Sequence, residues 1–138
     1  MAIYFAYGAN INIVSMASRC PLAKPLKPFE LKDWELKFFS HATIEPNFGS
    51  SVHGVLWDLS PICEETLDIF EGYPTYYTKR LWDQDDEEFF FYEMELYRQG
   101  SPRQSYIDNI REGYDQWGLP VEALSKSLRN AIHTDIYN

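Results

Sequence analysis

The chain has 138 residues, the size of one domain with a sizeable core, and its 45% hydrophobic and 17% aromatic content excludes a disordered polymer. Acidic residues number 21 and basic residues 12, so a formal net charge of −9 argues against nucleic acid and anionic membranes as partners. No apolar run approaches the length of a membrane span, no basic and apolar leader precedes the first strand, and Cys20 and Cys63 read as reduced thiols, so a cytoplasmic location is expected.

Ile3 to Asn10 reads as a buried strand running into a tight loop, Tyr7-Gly8-Ala9-Asn10. Gly8 admits a close ligand, and Asn10 can hydrogen-bond its own turn. Ile11 to Arg19 predicts a helical turn or two. Pro21, Pro25 and Pro28 predict an extended surface segment. A strand follows from Leu31, with Trp34, Leu36 and Phe38 on one face and Glu35 and Lys37 on the other. Ala42-Thr43-Ile44 reads as a short strand stopped by Pro46 and the turn Asn47-Phe48-Gly49. Val52 to Leu59 reads as the next, with Gly54 at a bulge or a close backbone approach.

Ser60-Pro61 signals a helix start and Gly72 its C-terminal cap. Cys63, Leu67 and Phe70 form its predicted buried stripe, and Glu71 extends the same series. Tyr76 to Trp82 and Phe89 to Arg98 read as strands flanking a charged hairpin turn, Asp83 to Glu88, with Phe90, Tyr92, Met94 and Leu96 on one side. Two helices close the chain. Ile107, Ile110, Tyr114 and Trp117 stripe the first, which ends at Gly118. Leu124, Leu128 and Ile132 stripe the second, and the tail after Ala131 is expected to fray. The sum is one α+β domain over residues 1–138: a small, mixed, mostly antiparallel curled sheet or barrel of about six strands with flanking helices.

Two stretches carry chemistry. The loop Tyr7 to Asn10, at the mouth of a central strand, is expected to present backbone N–H groups that attract a carboxylate or an oxyanion, or else to be a plain strand-ending turn. Glu71 lies on an apolar stripe at a helix C-terminus, and both settings raise a carboxyl pKa. Such a group can take a proton near neutral pH and return it. The pattern leaves open a Glu71 that snorkels to solvent or pairs with Lys79 or Arg80. Tyr77, beyond Gly72 and Pro74, can turn its hydroxyl toward Glu71 or find a structural partner. His41, His53 and His133 lack metal-ligand spacing, so no metal is expected. Nothing near Cys63 in sequence would stabilise a thiolate, so it reads as core.

Tyr7-Gly8-Ala9-Asn10, Ala42-Thr43-Ile44, Val55-Leu56-Trp57, Leu67 to Gly72 and Tyr77 together resemble the γ-glutamylcyclotransferase family, also called AIG2-like. Ser101 to Tyr106 and Gly118-Leu119-Pro120 are similar to the C-terminal part of its glutathione-pathway branch. The resemblance implies a small mixed barrel. It also implies cleavage of γ-glutamyl amides by attack of the substrate's α-amine on its own γ-carbonyl, releasing 5-oxoproline, without cofactor or metal. It makes Glu71 the general acid/base and Tyr7, Gly8, Ala9 and Asn10 the anion-binding loop, with Tyr77 and Tyr106 beside the substrate. Ala9 stands where the family usually has Ser, which matters only if a hydroxyl rather than the backbone binds. The expected partner is a small γ-glutamyl molecule, and the protein is expected to be a monomer or homodimer. The leaving group stays open among a free amino acid, the cysteinylglycine of glutathione, a lysine ε-amine and another amine. Two other readings share the scaffold: a binding module without turnover, and an acyl transferase to an external amine. A pure binding module has no need for a buried carboxylate at Glu71, and an external amine would yield no 5-oxoproline.

Overall fold

A computed structural model describes residues 2–95 and 100–137, with side chains up to 130. The elements in chain order are β1 (Ala2–Ala6), a single 3-10 turn (Ala9–Ile11), α1 (Ile13–Arg19), β2 (Lys24–Phe38), β3 (Ala42–Leu59), α2 (Pro61–Glu71), β4 (Tyr77–Gln84), β5 (Glu87–Met94), α3 (Gln104–Trp117) and α4 (Val121–Tyr137). The five strands form one curled sheet in the order β2-β3-β1-β5-β4. Among the described residues only the central β1–β5 pair is parallel; its neighbours are antiparallel. The α+β class and the mostly antiparallel sheet are as the sequence predicts.

Among the described residues the strands number five rather than six. Ala42–Ile44 and Val52–Leu59 belong to one 18-residue strand, β3. Pro46 does not stop it, because Pro46 pairs with Trp34 of β2. Between the pairs Trp34–Pro46 and Lys32–Ser51 the register slips, and residues 47–50 stand out from the sheet. Asp33 takes a left-handed conformation opposite them, and its carboxylate accepts from the Gly49 N–H at 3.0 Å. The expected turn is therefore a bulge held across strands. Strand β2 also begins earlier, at Lys24, and carries Pro25 and Pro28 at the sheet edge, where a missing N–H costs little. Gly54 marks a close approach: a Cβ there would lie 2.1 Å from the Ala6 carbonyl and 2.7 Å from the Phe5 ring.

The edges β2 and β4 meet through a side chain. Gln84 accepts from the Lys32 N–H at 2.8 Å and donates to the Glu30 carbonyl at 2.9 Å. Its amide stands in for a neighbouring strand and closes the curl toward a barrel. Trp34 and Trp82 seal the same seam edge to face, with ring centroids 5.2 Å apart.

Local signals place the helices as read. The Ser60 hydroxyl caps α2 through the Cys63 N–H, and Gly72 ends it in the left-handed region. Gly118 ends α3 in the same way. Ile110, Tyr114, Leu124 and Leu128 are buried, as their spacing predicts. Helix α4 continues past Ala131, where fraying is expected from sequence. Two residues of the charged hairpin, Asp85 and Asp86, take positive φ and make the turn between β4 and β5. Phe90, Tyr92 and Met94 are buried; Leu96, Tyr97 and Arg98 of the predicted strand lie outside the described residues. No helix among the described residues is long and apolar enough to cross a membrane.

Candidate active site

The parallel strands β1 and β5 end side by side, and a cavity of about 670 Å³ opens at those ends. Tyr7, Gly8, Ala9 and Asn10 line one wall and Glu71 lines another. Tyr77 and Tyr106 face the same space. The fold thus brings every candidate named from sequence to one cavity, though not all in the orientation expected.

The loop is held from behind. Asn12, not Asn10, caps α1, accepting from the Val14 and Ser15 N–H groups. The Asn12 side chain also donates to the Asn109 carbonyl of α3 at 2.8 Å, and the Trp117 indole donates to the Ile11 carbonyl at 2.8 Å. Gly113 lets α3 press on this segment, since a Cβ there would lie 2.5 Å from Ile11. The 3-10 turn begins at Ala9, and amides at the start of a short helix have no partner within it.

Asn10 departs from the sequence reading. Its side chain leaves its own turn and is only 3% exposed. Its Nδ2 donates to Tyr4 Oη at 3.0 Å and to Glu71 Oε1 at 3.3 Å, and its Oδ1 accepts from Arg19 Nη1. One amide thus connects the loop to the acid.

Glu71 is the last residue of α2 and is partly buried. Burial pushes its carboxyl pKa up to about 7, while the Arg19 charge and the Asn10 hydrogen bond pull the other way. The pairing left open from sequence does not form: Lys79 binds Glu64 and Asp68, and Arg80 binds Glu93. Phe70 is not part of the buried stripe; it is 53% exposed at the cavity wall, with the Arg19 guanidinium 4.0 Å from its ring centroid.

Tyr77 does not point its hydroxyl at Glu71. The hydroxyl donates to the Ala42 carbonyl at 2.6 Å, while Tyr106 Oη accepts from the Ala42 N–H at 3.1 Å. Two tyrosines therefore hold both polar groups of one residue where β3 begins. Tyr7 donates to the Tyr92 carbonyl at 2.5 Å. The Tyr106 hydroxyl proton is not spent on Ala42, which leaves it as a donor for a ligand.

Sequence reasoning missed Arg19, Tyr4 and Tyr92, which also line the cavity. Arg19 looks in sequence like an ordinary basic residue in a last helical turn. Period-two alternation from Tyr92 and Tyr4 gives no sign that their hydroxyls end in a cavity. Cys63 is core, as expected, but its surroundings do favour a thiolate. Burial pushes its thiol up, but hydrogen bonds from Ser60, Cys20 and the Leu22 backbone prevail and lower its pKa. It is 4% exposed beside an equally buried Cys20, so it packs as core.

Residues 4–117 match the family described as gamma-glutamyl cyclotransferase, AIG2-like. A search of curated proteins finds no match. Among solved structures, one named gamma-glutamyl cyclotransferase is 27% identical with a TM-score of 0.80, over 91% of this chain and 85% of that one. A human protein called uncharacterized protein LOC79017 is 28% identical with a TM-score of 0.79, over the same 91% and 85%. A mouse AIG2-like protein shares the fold at 20% identity and a TM-score of 0.53, over 78% of this chain and 82% of that one. With the match spanning most of its length, the chain belongs to the gamma-glutamyl cyclotransferase, AIG2-like family.

Proposed function

We propose that this protein is a γ-glutamyl cyclotransferase that releases 5-oxoproline and an amine or amino acid from a γ-glutamyl amide. The observation that carries the reading is the shared cavity: a carboxyl with a pKa near 7 and the loop Tyr7 to Asn10 line one space, joined through Asn10. Family membership and the 27% identical structure named gamma-glutamyl cyclotransferase support the same class of reaction.

The substrate's α-ammonium first gives a proton to Glu71, and the freed amine attacks its own γ-carbonyl carbon. The oxyanion that forms is met by N–H groups of the loop Gly8 to Asn10. The tetrahedral carbon then breaks its bond to the leaving nitrogen, which takes the proton back from Glu71. The freed carboxylate accepts the second proton of the cationic ring nitrogen and passes it to the departing amine, so 5-oxoproline leaves neutral at nitrogen and the amine leaves as an ammonium. One group thus serves as base and then acid. A pKa near 7 suits both roles, because neither protonation state is scarce at neutral pH. Attack within one molecule draws its rate from a folded glutamyl chain, which the tyrosine walls would hold in place. Ala9 fits this scheme, because the backbone N–H does the binding. The free thiols Cys20 and Cys63 fit a reducing, cytoplasmic setting.

The test is incubation with a panel of γ-glutamyl amino acids, glutathione and γ-glutamyl amines, reading 5-oxoproline. The wild type is expected to release it from at least one member. Glu71→Gln keeps the shape, removes the proton acceptor and should lower the rate by roughly 10²- to 10⁴-fold. Equal rates in the two proteins would overturn the role given to Glu71. Product lacking 5-oxoproline would point to transfer onto an external amine.

A further inference from the structure

Arg19 is the charged residue on the cavity wall that the cyclisation scheme leaves without a task. It ends α1, and its guanidinium lies over the Phe70 ring. One of its N–H groups goes to Asn10 Oδ1. The other end of the same amide donates to Glu71 Oε1 at 3.3 Å. A cation and an acid are therefore held apart by the width of one primary amide. That amide is itself buried and pinned by Tyr4 Oη at 3.0 Å. A guanidinium resting its face on an aromatic ring keeps its edge for hydrogen bonding, and its fork matches a carboxylate.

We propose that Arg19 binds the α-carboxylate of the substrate, so that Arg19, Asn10 and Glu71 together recognise a free α-amino-acid end. The inference rests on the cyclotransferase reading. In a γ-glutamyl compound the attacking amine and the α-carboxylate sit on the same carbon. The amine must reach Glu71, so the carboxylate lands within one carbon's reach of that acid. Arg19 is the cation bridged to Glu71 through Asn10. The charges also match in order: ammonium against the acid, carboxylate against the guanidinium.

The assignment divides two anions between two devices. The permanent carboxylate goes to a full positive charge, and the transient oxyanion goes to the amides of Gly8 to Asn10. It also accounts for how a chain with a net charge of −9 draws in an anion. The substrate class narrows accordingly. Compounds with a free α-carboxylate are accepted; α-amides, α-esters and γ-glutamyl groups embedded in a polypeptide backbone are refused.

Calorimetry with 5-oxoproline and with its α-carboxamide reads this assignment without turnover. The wild type is expected to bind the acid more tightly by roughly 10- to 100-fold, as for a hydrogen-bonded charge pair. Arg19→Gln should drop the acid to the level of the carboxamide and leave the carboxamide unchanged. Arg19→Lys should recover part of the preference. If Arg19→Gln weakens both ligands equally, or if the wild type shows no preference, the carboxylate is not held by Arg19 and the cyclotransferase reading still stands. A wild type that binds neither ligand removes the reading and this inference together.

Discussion

Two sets of aromatic rings grow from the same strands and end in opposite states. Phe5 of β1 and Phe89 and Phe91 of β5 pack with Phe29 and Trp34 of β2, with centroids between 5.0 and 6.5 Å apart. These rings are packed on one another. Tyr4 of β1, Tyr7 just beyond its end and Tyr92 of β5 belong to the other set, joined by Tyr77 and Tyr106, and they line a cavity. The phenylalanines of the first set lack the hydroxyl that the tyrosines carry. The first set is held by ring contacts, and its members close on one another. In the second, Tyr7 and Tyr77 are tied to the carbonyls of Tyr92 and Ala42, and Tyr106 to the Ala42 N–H. Tethered rings cannot collapse inward, and the space they keep open is where Glu71 and Asn10 meet.

The comparison can be broken most severely among the packed rings. Phe91 is fully buried, so Phe91→Ala should destabilise the protein by about 3–5 kcal/mol in urea unfolding. Phe91 is not among the residues lining the cavity, so 5-oxoproline release, measured under folding conditions, is expected to stay near the wild-type rate.

The cavity carries a cost of the opposite sign. Below pH about 4.5 the Glu71 carboxyl is protonated in both the folded and the unfolded chain. As pH rises, the unfolded chain releases that proton first, and the folded one keeps it up to about 7. Stability from this residue is therefore lost across that interval and stays lost above it. Glu71→Gln should gain on the wild type by roughly 3 kcal/mol between pH 4 and pH 8, read as the difference between their unfolding curves. A variant that loses turnover while gaining stability at pH 8 would sharpen the contrast between the packed rings and the cavity.

Tyr77→Phe makes a smaller change. It leaves the Ala42 carbonyl without its donor, at about 1–3 kcal/mol in the same assay. The tether account predicts that loss with a modest rise in KM. A collapse of kcat at unchanged stability would instead make the hydroxyl a reacting group.

Most of the fold is legible in the sequence because its signals are local. Ser60, Gly72 and Gly118 mark helix ends by their own chemistry, and the stripes of α3 and α4 need no partner to be seen. Strand β3 is misread for the converse reason. Pro46 and Asn47-Phe48-Gly49 have the composition of a turn, and only pairing with β2 across the Asp33 bulge keeps the strand going. The site divides in the same way. Glu71 stands out because a charge on an apolar stripe is a local contradiction, and the loop stands out by its Gly8. Arg19 carries no such contradiction, since a basic residue near a helix C-terminus is ordinary. Phe70 follows the stripe's spacing but faces the cavity, because the last turn of α2 has passed the core it packs on.

The account depends on Glu71 holding its proton far above the ordinary carboxylate range. Carbon-13 NMR of the Glu71 carboxyl, assigned by its loss in Glu71→Gln, measures that directly across pH 3 to 9. The predicted midpoint is about 7. A midpoint near the ordinary value of about 4.3 would mean a solvated carboxylate with no proton to return, and would contradict the account.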